Sequence, residues 1–217
     1  MDPQKLLDCQ SSYDRIAEEY TSRIAGELEQ KPLDRMLLDE FAARVKRAGR
    51  VCELGCGPGH VTRYLHDRGV DVFGIDLSPG MLEQARKLNP AIEFQQGNML
   101  ALGVDGAWAA IVAFYSIVHI PKTDILQAFR EMFRALKPGG LLFLAFHIGL
   151  EVLREENLWG HQVSLDLVLY ARKEVERYLG LAGFAIEDSL ERDPYAPEVE
   201  YQSRRAYIRA RKPAPQG

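Results

Sequence analysis

Apolar positions near the start of the chain recur three and four apart, so that Tyr13, Ile16, Ala17, Tyr20 and Ile24 share one helical face. A second helix is expected after Pro32, carrying Leu33, Met36, Leu37, Phe41 and Val45. The rhythm then changes. "RVCELG" is a short apolar run ending at glycine, "HVTRYLHDRG" reads as a helix stopped by Gly69, and "VDVFGID" is another apolar run. A helix from Pro79 to Leu88 follows, then strands near "AIEFQQ" and "AAIVAFYS", a helix from Thr123 to Leu136 stopped by "LKPGG", and the strand "LLFLAFH". Strands alternating with helices mark parallel crossover units, and nearly continuous apolar strands imply a sheet covered on both faces.

After His147 the pattern loosens into a segment of mixed polarity, residues 148–170, which reads as a lid. A helix from Arg172 to Leu181 is ended by Gly183. The last strand-like segments, "FAIEDSLE" and "RRAYIRARK", are joined by a loop holding Pro194 and Pro197, without the long crossover of a parallel pair, and are expected to be antiparallel neighbours. The alternation of basic and apolar residues in "RAYIRARK" reads as a solvated strand face, and the tail "KPAPQG" reads as disordered.

Composition narrows the function classes. With 217 residues and 47% hydrophobic content the chain can bury one full-sized core. A net charge of -4 supplies no broad basic field for nucleic acid or anionic lipid. The start "MDPQKLLDCQSS" lacks the basic and apolar regions of a secretory signal. The most apolar stretches, "WAAIVAFYSIVHI" and "LLFLAFHIGL", fall short of the ~20 residues of a membrane span. Cys9, Cys52 and Cys56 form an odd set without paired C-x-x-C spacings, so neither a disulfide framework nor a structural metal is expected, and a reducing cytoplasm fits.

The candidate chemistry begins at "ELGCGPGHV", a glycine-rich turn between a strand and a helix, where the backbone can approach a nucleotide and the helix offers unpaired N–H groups. Asp76 ends the next strand, where a carboxylate can accept both ribose hydroxyls. Together they suit an adenosine-containing ligand without separating NAD from S-adenosylmethionine.

The ordered motifs resemble the class I S-adenosylmethionine-dependent methyltransferases, particularly their small-molecule and quinone-type branch. "VCELGCGPG" is similar to that family's first motif, "GIDLSPGML" to its second, "QQGNML" to its third and "LKPGGLLFLAFH" to the motif around its fifth strand, over residues 10 to 150. The fold so implied is α/β, Rossmann-like and doubly wound. It has a mostly parallel seven-stranded sheet with an antiparallel last strand, a helical cap over residues 1–48, an α/β domain over 49–212 with the lid inserted, and a tail from 213 to 217. The implied reaction is direct transfer of the methyl of S-adenosylmethionine to an oxygen, nitrogen or carbon of a small organic acceptor. A nicotinamide-dependent oxidoreductase shares the turn and the acid, and a non-catalytic member of the fold would share every motif.

The resemblance places Glu53 near the cofactor's ammonium, Gly55, Cys56, Gly57 and Gly59 beneath it, and Asp76 at the ribose. Leu77, Ser78 and Met81 would lie beside the adenine, although Ser78 and Pro79 equally suit a helix cap and first turn. Asn98 and Met99 occupy the place where the family usually carries an aspartate and an apolar residue, a departure that keeps an oxygen acceptor but no charge. Phe114, Tyr115 and Ser116 would border the transferable methyl, and "FYSIVHIP" lacks the Asn/Asp-Pro-Pro-aromatic pattern of enzymes acting on base nitrogens. Tyr13 and Tyr20 are similar to tyrosines that reach the cofactor from an N-terminal helix, and their spacing serves a core stripe as well. His119 and His147 are the candidate proton acceptors, with His161 beside Trp159 a weaker one. Each histidine can instead be a packed or hydrogen-bonded one.

Overall fold

The computed structural model describes residues 1–214, so part of the expected tail, 215–217, lies outside the described residues. Helix α1 (Pro3–Ile24) starts at Asp2, whose side chain accepts from the Gln4 N–H, with Pro3 at the first helical position. A short 3-10 turn at Glu27–Gln30 leads into α2 (Pro32–Val45). Its buried face holds Leu37, Leu38, Phe41 and Val45 as the spacing requires, but also Asp34, while Met36, expected inside, is 48% exposed.

The units that follow are β1 (Val51–Leu54), α3 (His60–His66), β2 (Val72–Asp76), α4 (Pro79–Leu88), β3 (Phe94–Gln96), β4 (Trp108–Phe114), α5 (Ile125–Ala135) and β5 (Leu136–His147). Helix α4 has the bounds expected from sequence, because the Ser78 hydroxyl accepts from the Met81 N–H and Pro79 fixes the first turn. The strand containing "LLFLAFH" starts earlier than expected, at Leu136, its pairing with β4 shifting register between Trp108 and Ala110.

Residues 148–170 form a hairpin, β6 (Val152–Leu158) and β7 (His161–Val168), paired antiparallel. Trp159 and Gly160 make its two-residue turn with φ of 53° and 87°, the sign that a type I′ turn requires at both positions. Val163 and Leu165 of β7 pack on Ile16 and Ala17 of α1 and Met81 of α4, so the hairpin is clamped to the N-terminal helix. Helix α6 (Arg172–Ala182) ends on Gly183 at φ 103°, and β8 (Ala185–Arg192) and β9 (Arg205–Arg211) complete the main sheet.

The seven-stranded order is β3-β2-β1-β4-β5-β9-β8, parallel from β3 to β5, with β9 antiparallel to both of its neighbours. Helices α5 and α6 cover one face, and α2 and α3 cover the other. Because β9 is interior, the expected solvated face of "RAYIRARK" is corrected: Arg205 is 1% exposed and Ala206, Tyr207, Ile208 and Ala210 are buried. Strand order reverses between β1 and β4, and such a reversal opens a crevice beyond the C-terminal strand ends. Among the described residues no helix is long and apolar enough to cross a membrane, and no group of His, Cys, Asp or Glu could hold a metal ion.

Candidate active site

A cavity of about 640 Å³ fills that crevice, floored by the ends of β1, β2, β4 and β5 and walled by α1, the Glu27–Gln30 turn and the hairpin. The three glycines after β1 are bare for different reasons. A Cβ on Gly55 (φ 70°) would stand 2.3 Å from the Ser116 Cβ, and one on Gly59 (φ 79°) would stand 2.7 Å from the Phe94 ring. Gly57 (φ 51°) meets nothing closer than the Tyr20 ring at 3.9 Å, so it alone leaves main chain open to the cavity. Gly59 and Ser78 do not line the cavity. Ser78 caps α4 and donates to Asp14 of α1 at 2.5 Å, and the Gly80 N–H donates to the same carboxylate at 2.8 Å, which pins α1 to the N-terminus of α4.

Asp76 accepts from the Gly57 N–H at 2.8 Å and the Ser78 N–H at 2.9 Å. Burial raises its pKa, against the pull of those donors. Two N–H groups use only part of a carboxylate's accepting capacity, and the remainder adjoins the cavity. Glu53 is 1% exposed and accepts from the Thr62 hydroxyl. Burial pushes its carboxyl up to about 7, with nearby His60 opposing. Leu77, Met81, Met99 and Asn98 line the wall next to Asp76, and the Asn98 side-chain oxygen accepts from the Leu100 N–H at 2.9 Å. Cys56 lies beneath the loop, 1% exposed, its thiol pKa raised by burial.

Tyr13 and Tyr20 both enter the cavity from α1, their rings 5.7 Å apart edge to face, and Tyr20 lies 6.0 Å from the Trp159 ring at the hairpin turn. Phe114 is buried, and the Ser116 hydroxyl donates to the Leu54 carbonyl at 2.7 Å. Tyr115 takes φ 55°, a costly value for a non-glycine residue, and its hydroxyl donates to Asp34 at 2.7 Å.

The two histidines have different partners behind their rings. His119 Nδ1 faces the Asp166 carbonyl at 3.0 Å, which can only accept, so Nδ1 carries the proton and Nε2 accepts from the Tyr13 hydroxyl at 2.6 Å. Burial lowers the His119 pKa and keeps the ring neutral. His147 Nδ1 lies 2.8 Å from the Ser203 hydroxyl, which itself accepts from Arg205 at 2.5 Å. The Ser203 hydroxyl is half-buried and has two lone pairs, so it can donate to Nδ1 or accept from it while its own proton meets solvent, and this contact alone leaves both His147 tautomers open. Burial and the positive charges of Arg205 and Lys31 lower the His147 pKa to about 3. His161 does not line the cavity.

A family model described as "Methyltransferase domain" matches residues 51–140, which span β1 to the start of β5. Residues 51–140 thus carry a methyltransferase domain, similar to those of the class I S-adenosylmethionine-dependent enzymes. A malonyl-(acyl-carrier protein) O-methyltransferase of Enterobacter lignolyticus is 37% identical over 113 residues, 51% of this chain and 44% of that protein. A ubiquinone biosynthesis O-methyltransferase of Xanthomonas campestris pv. campestris is 35% identical over 126 residues, 54% of this chain and 52% of that protein. The chain spans about half the length of these curated relatives. The solved DhpI–SAH complex shares the fold, with a TM-score of 0.74 at 22% identity over 98% of this chain and 99% of that one.

The end of the cavity beyond Tyr115 is built from residues that the motifs do not contain. Arg192 pairs with Asp34 at 3.0 Å and Glu200 at 2.5 Å, Glu200 lies 3.4 Å from Arg205 and 3.6 Å from Lys31, and Lys31 pairs with Glu27 at 2.5 Å. Glu27 in turn lies 2.8 Å from His60. The one sequence signal for this cluster is a basic residue opening the apolar strand β9.

Proposed function

We propose that the protein transfers the methyl of S-adenosylmethionine to a nucleophilic oxygen, nitrogen or carbon of a small organic acceptor, by direct displacement. The observation that carries this reading is Gly57: its bare backbone opens to the cavity between the buried Glu53 and the half-buried Asp76, as a ligand with an ammonium at one end and a ribose at the other requires. Asp76 would hold the ribose hydroxyls, Glu53 the ammonium, and Leu77, Met81, Asn98 and Met99 the adenine, with Tyr13 and Tyr20 covering them. The bound cofactor supplies a methyl on a sulfonium leaving group. The chain's own part is to align the acceptor with that methyl and to exclude water, tasks for which Tyr13, Tyr20, Trp159 and the hairpin are placed. Both curated relatives are O-methyltransferases by name, which favours oxygen as the nucleophile. The family match leaves the nicotinamide-dependent reading unsupported. The reading places the reaction in a reducing cytoplasm, in keeping with three free cysteines, and its acceptor is a small molecule rather than nucleic acid. Incubation of a metabolite extract with methyl-labelled cofactor tests it: one compound gains the label, and an extract that gains none in repeated screens removes the reading.

His119 is the proposed proton acceptor for nucleophiles that must lose a proton. Its Nε2 lone pair is reached through the Tyr13 hydroxyl, and its tautomer is fixed by the hairpin backbone. His119→Ala is expected to slow single-turnover transfer to the identified acceptor by about a hundredfold, with cofactor affinity unchanged. An unaltered rate removes His119 from the reaction.

Glu53 makes cofactor affinity depend on pH. With its carboxyl at about 7, it is ionised above neutrality, where it attracts an ammonium, and protonated below, where it does not. Calorimetric titration from pH 5.5 to 8.5, roughly one and a half units either side of that value, is therefore expected to show affinity rising with pH and Glu53→Gln to flatten the profile. Stability of the free protein has the opposite sign. A folded pKa above the unfolded one contributes stability that is full below the unfolded value and lost as pH rises through about 7, because the ionised carboxylate is desolvated.

A further inference from the structure

His147, offered by its position at the end of β5 as a base, has neighbours that suit a hydrogen-bond donor instead. Arg205, which can only donate, meets the Ser203 hydroxyl, which is then able to donate to Nδ1 of the ring. Nε2 has no hydrogen-bond partner among the described residues, and it is not among the sealed polar atoms. With Ser203 donating to Nδ1, it is a donor on a residue that lines the cavity.

We propose that His147 recognises the methyl acceptor, its Nε2–H donating to an acceptor oxygen that carries negative charge, a carboxylate being the chemistry that fits. This inference rests on the methyltransferase reading of the cavity. The surroundings favour an anion. The Tyr115 ring, 5.3 Å from the imidazole, has Lys31 Nζ 5.4 Å and the Arg205 guanidinium 5.5 Å from its centroid. Both cations are buried, so solvent screens them little. Glu27 and Glu200 pair with them and Glu198 lines the same end, and burial first, with the charges of Arg205 and Lys31 after it, keeps the His147 ring neutral. Arg205 Nε adds a sealed N–H without a partner. An acceptor presenting an ammonium here would meet an N–H donor and two positive charges, whereas a carboxylate meets a charge-assisted hydrogen bond. The Tyr201 ring, 6.0 Å from the imidazole, gives the acceptor's apolar part a wall. The two histidines thus divide the work: His119 takes a proton, and His147 holds an oxygen that has none to give.

The test uses the full chain. Nitrogen NMR of the free protein is expected to show His147 protonated at Nε2 and neutral down to acid pH. With S-adenosylhomocysteine bound, benzoate, phenylacetate and malonate are titrated in parallel with their amides. The carboxylates are expected to shift the Nε2 resonance and to bind roughly tenfold or more tightly than the amides, the range for a hydrogen bond to a charged group. His147→Phe abolishes that preference, and His147→Gln, which keeps an N–H at similar reach, retains part of it. A ring protonated at Nδ1, no carboxylate bound better than its amide, or an undiminished preference in His147→Phe each overturns the proposal. Failure of S-adenosylhomocysteine to bind at all overturns the methyltransferase reading instead, while the tautomer is still decided in the free protein.

Discussion

Asp76→Ala is expected to weaken the binding of S-adenosylmethionine and S-adenosylhomocysteine by about three orders of magnitude, while the protein still folds. The magnitude follows from hydrogen bonds to a charged group, worth about 1.5–3 kcal/mol each, two of which a ribose diol would make with this carboxylate. At 1.4 kcal/mol per tenfold, their loss spans roughly two to four decades. A further loss comes from the loop. Asp76 ties down the Gly57 N–H at 2.8 Å, so the same carboxylate that would grip the sugar also holds open the backbone beneath it. Folding is preserved because the Gly57 N–H adjoins the cavity, where water can replace the lost acceptor, while the buried Ser78 N–H loses one partner, a cost of about 1–3 kcal/mol. Isothermal titration with each ligand measures the effect, and a melting curve checks the fold. An affinity within tenfold of the parent would show that the ribose is held elsewhere.

Much of this site was legible because its residues sit at places that sequence marks. The strands β1, β2 and β4 are apolar apart from Glu53 and Asp76, since helices cover both faces, and a glycine turn or an acid near their ends stands out against that background. Helix α4 was legible to the residue because Ser78 and Pro79 carry their own local reasons for being there. The hairpin was not. Its β7 strand buries Val163 and Leu165 at alternate positions, but its turn is Trp-Gly, with a tryptophan forced to positive φ where asparagine or aspartate would have signalled a turn. Buried charge was the other blind spot. Lys31, Asp34, Glu200 and Arg205 read as surface residues in any local window, because the cluster closes only when the chain brings Asp34 to Arg192 and Lys31 to Glu200. The histidines show the same limit at the level of chemistry: position nominates both as bases, and only the partners behind each ring, a carbonyl for His119 and the Ser203–Arg205 pair for His147, distinguish them.

Glu200→Ala is expected to destabilise the fold by about 3–5 kcal/mol, the range for removing one partner of a buried ion cluster. Glu200 is the joint of that cluster. It contacts Arg192, Arg205 and Lys31, and it accepts the Tyr195 N–H at 2.7 Å. Arg192 keeps Asp34 and Lys31 keeps Glu27, but Arg205, 1% exposed, loses the one carboxylate paired with it among the described residues and is left as an uncompensated buried cation. The effect reaches the site, because Arg205 is what orients Ser203 and through it His147. The pH dependence has a definite sign. Burial works against ionisation of Glu200, but the Arg192 hydrogen bonds, the Tyr195 N–H and the charge of Arg205 outweigh it and bring the carboxyl down to about 2. A folded pKa below the unfolded one contributes stability that is present above the unfolded carboxylate range and lost as pH falls through it toward about 2. Urea unfolding of parent and variant is therefore expected to differ most near neutrality and to converge as the medium is acidified. A difference that stays constant down to that acid limit would assign the loss to the Tyr195 loop rather than to the charges.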